Sequence, residues 1–188
     1  MKKYSVEVEK NLKEKDALLE GHFILSSGLH SNKYVQCAKV LQYPDIAEKL
    51  AKLLVKKLSI HCDLVISPAI GGLVIGQEVA RVLKCRAIFC ERANGVMTLR
   101  RGFEIKKNER CLVIEDVITT GGSTREVMEV VKSYGGKVAG VASVIDRSNL
   151  KNFTTALLKL KIETYKPEKC PLCKKGIPFI KPGSKGAK

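Results

Sequence analysis

Apolar residues along the chain recur with a helical period in some stretches and as short continuous runs in others, and the changes mark the elements. Val8, Leu12, Leu18 and Leu19 set an imperfect apolar face that predicts an amphipathic helix over residues 4–19. From Gly21, GHFILSSGLHSNKYVQCAKVL divides into two short strands joined by the turn-rich SSGLHSN. Pro44 and Asp45 open a second helix through AEKLAKLLVKKL. Next come a short apolar strand (DLVISP), a tight loop (AIGG), a helix (LVIGQEVARVL) and another strand (RAIFCE). Residues 92–102 form a polar, glycine-bounded stretch open to motion. CLVIED is a third apolar strand, a helix follows from Ser123 to Tyr134, and a glycine pair stops it before the strand KVAGVASVID.

Strands that alternate with helices predict an α/β fold with a parallel sheet. Ligands of such sheets sit at the carboxyl ends of the strands. That rule gathers SPAIGG, VITTGGS and the segment Asp146–Ser148 at one end of the molecule. Residues 1–188 read as one domain closed by a Pro-, Gly- and Lys-rich tail over 165–188, whose last residues are expected to fray.

Composition narrows the function classes. With 45% hydrophobic and 28% charged residues the chain is globular in type. A net charge of +15 favours anionic partners, although most of the lysines fall in clusters that read as solvated surface. Aromatics make up 5%, Trp is absent, and no basic face is interleaved with aromatics, which argues against a nucleic-acid partner. No apolar run reaches the roughly 18 residues of a membrane span, so no membrane partner is expected. The N-terminal MKKYSVEVEKNLKEKD lacks the apolar core of a secretory signal, so a cytoplasmic location is expected. The seven cysteines are scattered and odd in number, which does not make a disulfide framework.

The chemistry concentrates in CLVIEDVITTGGSTREV. A glycine-rich turn between a strand and a helix aims backbone N–H groups and the helix N-terminus at one anion, and a phosphate monoester suits it. Neither GxxxxGK[ST] nor GxGxxG occurs, so the turn is not a Walker or dinucleotide loop. Glu115 and Asp116 would repel that phosphate unless they accept bonds from sugar hydroxyls or hold Mg²⁺ through water. The plainer alternative is a helix capped by Ser123 after a strand that merely ends in two acids.

VIEDVITTGGST resembles the phosphoribosyl-diphosphate signature of type I phosphoribosyltransferases. GHFILSSGLHSNKYVQCAKVLQYP resembles the N-terminal segment of the orotate phosphoribosyltransferases in particular. SPAIGG resembles their diphosphate loop and ERANGVMTLRRGF their mobile loop, so the likeness spans residues 21 to about 148. It implies a mainly parallel central sheet flanked by helices, with small N-terminal hood elements in residues 1–43. It implies that Glu115, Asp116, Val117, Ile118, Thr119, Thr120, Gly121, Gly122 and Ser123, with Ala69, Ile70 and Gly71, bind phosphoribosyl diphosphate. Thr119, Arg147 and Ser26 are the implied orotate contacts. A guanidinium at 147 would give the orotate carboxylate a permanently charged, bidentate partner.

The resemblance further implies displacement of diphosphate from the ribose by a ring nitrogen of orotate, within UMP synthesis, with Mg²⁺ as cofactor. Asp116 and the mobile-loop candidates Arg92, Arg100 and Arg101 are the implied catalytic residues. Ala93 stands where better-known members carry a lysine, and the loop has no histidine. A homodimer is implied, each mobile loop serving the neighbouring site. The reaction needs no nucleophile–histidine–acid set, so His22, His30 and His61 read as structural or surface groups. Two other functions stand beside this one: a purine-type phosphoribosyltransferase, and a phosphoribosyl-diphosphate sensor that binds nucleic acid. Cys170 and Cys173, in CPLC, have metal-ligand spacing but supply only two of the four ligands of a structural zinc site. An exposed turn, a zinc site completed by other cysteines or a second subunit, and a redox pair are the readings open to them.

Overall fold

Val8 and Leu12, four residues apart and almost completely buried, fix the inner face of helix α1 (Lys2–Glu14) in the computed structural model, which describes residues 2–25, 27–148 and 150–182. The helix ends earlier than its apolar face predicts. Asp16 takes a left-handed φ of 50°, and Leu18 and Leu19 begin strand β1 (Leu18–Ile24). β1 pairs antiparallel with β2 (His30–Val35), which absorbs His30, Ser31 and Asn32 from the expected turn. A helical turn, α2 (Ala38–Leu41), leads to α3 (Pro44–Lys57), which starts at the expected proline.

The alternating part follows as β3 (Leu64–Pro68), α4 (Leu73–Leu83), β4 (Arg86–Ala93), β5 (Val96–Leu99), β6 (Arg110–Ile118), α5 (Gly122–Ser133), β7 (Lys137–Asp146) and β8 (Thr155–Lys159). β9 (Thr164–Tyr165), a 3₁₀ turn (Pro167–Lys169) and a short helix, α6 (Pro171–Lys174), complete it. The polar stretch 92–102 is in large part a hairpin. Asn94 and Gly95 both have positive φ, the geometry of a tight hairpin turn, and they return β5 antiparallel onto β4. Met97 and Leu99, alternate residues of β5, are buried. β8, at the edge of the main sheet, has no counterpart in the sequence reading.

The main sheet has the order β5-β4-β3-β6-β7-β8 and is parallel from β4 through β8. Alternate residues of its strands enter two cores. Val65, Leu112 and Ile114 pack with Leu50, Leu54 and Val79 from α3 and α4. Leu64, Ile66, Cys111 and Val113 pack with Val127 and Val131 from α5. Cover on both faces explains why these strands read as unbroken apolar runs. A smaller antiparallel sheet, β1-β2-β9, stands apart as a hood built from both ends of the chain. The fraying expected of the last residues concerns 183–188, which lie outside the described residues.

The glycine pair after α5 divides its work. Gly135 supplies the left-handed φ of 79° that ends the helix. Gly136 supplies space: a Cβ there would lie 2.8 Å from Ile105 Cγ2 and 3.0 Å from Val131 Cγ1. Gly136→Ala is expected to destabilise the fold by about 1–3 kcal/mol through overpacking. Thermal unfolding would register this as a Tm several degrees lower, and an unchanged Tm would refute the packing constraint.

Candidate active site

β6 does not stop at its two acids. It stays paired with β7 from Arg110 to Ile118, with Glu115 opposite Ser143 and Ile118 opposite Asp146. Successive side chains therefore diverge. Asp116 lines an open cleft, whereas Glu115 is only 8% exposed. Burial, reinforced by the Asp116 charge, pushes the Glu115 carboxyl up to about 9. Glu115 Oε1 accepts a bond from the Asp116 amide at 3.2 Å, and Asp116 Oδ1 accepts one from the Val117 amide at 2.8 Å. Val117 also faces the cleft, but Ile118 is buried in the core and offers its side chain to no ligand.

The glycine-rich turn begins at Thr119, and both Thr119 and Thr120 line the cleft. Gly121, not Ser123, is the N-cap of α5. Its φ is 77°, and a Cβ at that position would lie 2.9 Å from the Phe153 ring. The turn is braced from behind, because Arg125 donates to the Thr120 carbonyl at 3.1 Å and lies over Phe153. Gly122 and Ser123 begin the helix, where the first amides have no intrahelical acceptor and can serve an anion.

The loop after β3 closes on the same carboxylate. A Cβ on Gly71 would meet Asp116 Oδ1 at 2.7 Å, and one on Gly72 would meet the Ile114 carbonyl oxygen at 2.9 Å. Only a backbone without side chains passes so near. Ala69 is half-buried beside this loop and Ile70 is 83% exposed.

Arg147 comes from the end of β7. Its amide donates to the Ile118 carbonyl at 2.8 Å, which ties it to the end of β6. Asp146, buried, accepts bonds from the Ser148 amide at 2.8 Å and hydroxyl at 2.6 Å and shapes the turn. The Arg147 guanidinium lines the cleft. Burial lowers its pKa, partly offset by Tyr34, and its Nε has no hydrogen-bond partner among the described residues.

The cleft, about 1000 Å³, lies between these strand ends and the hood. Ile24, Leu25, Leu29 and Tyr34 roof it from β1, β2 and their connection, and Lys181 and Pro182 reach it from the tail. Sequence reasoning missed Lys181, since the tail was read as peripheral; the apolar run IPFI just before it was the available signal. Ser26 lies outside the described residues. Arg92, Arg100 and Arg101 are not brought to this chain's cleft. Arg92 pairs with Glu126 at 2.6 Å, and Arg100 and Arg101 pair with Glu91 at 3.7 and 3.0 Å. Cys170 and Cys173 lie outside the cleft against His22 and His30, while His61 is a surface group 3.4 Å from Asp63.

The model of the phosphoribosyl transferase domain matches residues 38–159. The chain is 54% identical over 178 residues to an orotate phosphoribosyltransferase of Caldicellulosiruptor bescii, covering 92% of this chain and 94% of the relative. To that of Carboxydothermus hydrogenoformans it is 54% identical over 189 residues, covering 97% of this chain and 99% of the relative. The crystal structure of orotate phosphoribosyltransferase from Aeropyrum pernix is similar with a TM-score of 0.70 at 26% identity, over 82% of this chain and 94% of that one.

The buried acid makes a pH prediction. Its folded-state value lies above the ordinary 4.5, so between about pH 4.5 and 9 the folded chain holds more protons than the unfolded one. Stability contributed by protonated Glu115 is full below that window and is lost as pH rises through it, with a slope approaching ~1.4 kcal/mol per pH unit. Glu115→Gln is therefore expected to show a smaller fall in Tm than the parent between about pH 5 and about pH 8. Parallel Tm curves would show that Glu115 is not held protonated.

Proposed function

We propose, for a chain that belongs to the orotate phosphoribosyltransferases, that Asp116 and the 119–123 turn hold phosphoribosyl diphosphate while Arg147 holds the carboxylate of orotate. The chain transfers the phosphoribosyl group to orotate, giving orotidine 5-phosphate and diphosphate. The observation that carries the assignment is Arg147, a half-buried guanidinium at the cleft wall whose Nε has no hydrogen-bond partner among the described residues. A desolvated cation of this kind gains most from a carboxylate that can bond it bidentately.

The remaining roles follow from charge. The 5-phosphate takes the amides at the start of α5 and the hydroxyls of Thr119 and Thr120, where the helix dipole favours an anion. Ribose hydroxyls donate to Asp116, which brings a negative charge beside the sugar that becomes cationic as diphosphate leaves. Gripping the orotate carboxylate at Arg147 aims the ring nitrogen at the anomeric carbon, so the chain contributes orientation rather than a nucleophile. Ala69–Gly71 offers diphosphate a backbone approach beside Asp116. The same close fit suits a hard cation: Asp116, with water and the diphosphate oxygens, would hold Mg²⁺. When bound, Mg²⁺ neutralises the leaving group. The net charge of +15 steers two anionic substrates to the cleft. Seven cysteines with no disulfide among the described residues accord with a reducing, cytoplasmic setting.

A homodimer belongs to this reading. The β4–β5 hairpin and Arg100–Arg101 carry cations that miss their own chain's cleft, so they are assigned to the neighbouring site, where closure would exclude water.

Ultraviolet assay with phosphoribosyl diphosphate and Mg²⁺ should show orotate consumed, with adenine, hypoxanthine and uracil untouched; purine turnover without orotate turnover would overturn the pyrimidine assignment. Arg147→Ala is expected to raise the orotate KM by about 10- to 100-fold, from the roughly 1.5–3 kcal/mol of a charged hydrogen bond, with a much smaller effect on the KM of phosphoribosyl diphosphate. Equal effects on both substrates would sink Arg147 as the carboxylate partner. Co-expressing the Arg147→Ala chain with an Arg100→Ala/Arg101→Ala chain should give, at orotate concentrations near the parent KM, more activity than either variant alone, since one mixed site would be intact. Absence of complementation would refute shared sites.

A further inference from the structure

Four groups from opposite ends of the chain meet beneath the hood, outside the substrate cleft. His22 lies on β1, His30 begins β2, Cys170 is the N-cap of α6 and Cys173 lies within that helix. One ligand atom from each lies within 4.8 Å of all the others. His22 Nε2 is 2.8 Å from His30 Nδ1, 3.5 Å from Cys170 Sγ and 3.7 Å from Cys173 Sγ, and His30 Nδ1 is 3.2 Å from Cys173 Sγ. Around a tetrahedral zinc ion, with Zn–N of about 2.0–2.1 Å and Zn–S of about 2.3 Å, ligand atoms stand roughly 3.3–3.8 Å apart. Two of the separations, 3.5 and 3.7 Å, match that spacing, the other two, 2.8 and 3.2 Å, are tighter, and two histidines with two cysteines are a zinc donor set.

The structure assigns this cluster as a structural zinc site, with His22, His30, Cys170 and Cys173 as its four ligands. The second pair comes from histidines of the same chain, rather than from other cysteines or a second subunit as the spacing alone left open. The surroundings are those of a ligand set. His22 Nδ1 lies 2.7 Å from the Ile177 carbonyl oxygen, so it carries the proton and leaves the Nε2 lone pair directed at the cluster. His22, His30 and Cys170 are buried, and the Phe179 ring packs 5.8 and 5.9 Å from the two imidazoles, shielding the centre. Two neutral imidazoles and two thiolates leave a divalent ion no net charge to bury, and four protein ligands leave no open position for catalysis.

The ion would tie the tail to the β1–β2 hairpin. Just beyond Phe179, Ile180 exchanges backbone bonds with the hood, donating to the His22 carbonyl at 2.8 Å and accepting from the Ile24 amide at 2.9 Å. Lys181 and Pro182 follow at once at the cleft wall. The zinc site thus holds the segment that delivers Lys181, and the assignment stands independently of which base the cleft accepts.

The test uses the full chain purified without chelator. Elemental analysis should find about one zinc ion per chain, and a thiophilic chelator should remove it with a lower Tm. Reloading the stripped chain with Co²⁺ should give the visible bands of tetrahedral cobalt and a thiolate charge-transfer band in the near ultraviolet. Cys173→Ser, at the exposed ligand, should retain less metal and weaken that band, while Cys85→Ser, outside the cluster, should leave both unchanged. A parent chain free of zinc that gives no tetrahedral cobalt spectrum overturns the assignment. So does titration that finds Cys170 and Cys173 joined as a disulfide in the metal-free purified chain.

Discussion

The whole site hangs on β6 being hydrogen-bonded on both sides. β3 pairs with its first half and β7 with nearly its full length, so the register of three strands is set by one central ladder. Leu112, Val113 and Ile114 anchor that ladder in both cores at once. A slip of one residue would exchange the two cores and turn Asp116 away from the cleft. Because the slip is forbidden, Asp116 arrives beside Gly71, and the Arg147 amide finds the Ile118 carbonyl. Three loops distant in sequence then act as one surface.

That surface separates charge. Asp116 and Arg147 line the same cleft with Thr119 and Thr120, directly before α5, so it carries both an acidic and a basic side chain. The adjacent Glu115 does not add a second free charge beside Asp116, because burial and Asp116 together favour its protonated form. Two neighbouring acids thus perform unlike work, set by the alternation of a strand.

The hood is a joint product of both chain ends. β9 adds to β2, and Ile180 bonds the backbone on either side of Phe23, so residues more than 130 positions apart in sequence make one roof. The tail, which composition presents as a basic appendage, completes the cleft instead. The arginines of the β4–β5 segment show the opposite relation: their sequence position next to the resemblance motif is clear, yet each is paired with a glutamate away from its own cleft.

The order of strands and helices from Pro44 to Asp146, β5 excepted, was legible in the sequence, because two-sided burial writes itself as apolar runs and amphipathic faces. So was the glycine-rich turn between β6 and α5, since small residues between a strand and a helix mark a tight turn. The end of α1 was not legible, because Leu18 and Leu19 continue the helical face while a left-handed Asp16 breaks it. The edge strand β8 was not legible either. Sequence alone determined which chemical groups the site would hold, since residue type sets charge and hydrogen-bonding capacity. The tertiary structure decided which of them meet: Asp116 rather than Glu115 at the cleft, Gly121 rather than Ser123 at the helix start, and His22 and His30 beside Cys170 and Cys173. Those choices depend on strand register and on contacts between distant segments, which only the folded chain brings within bonding distance.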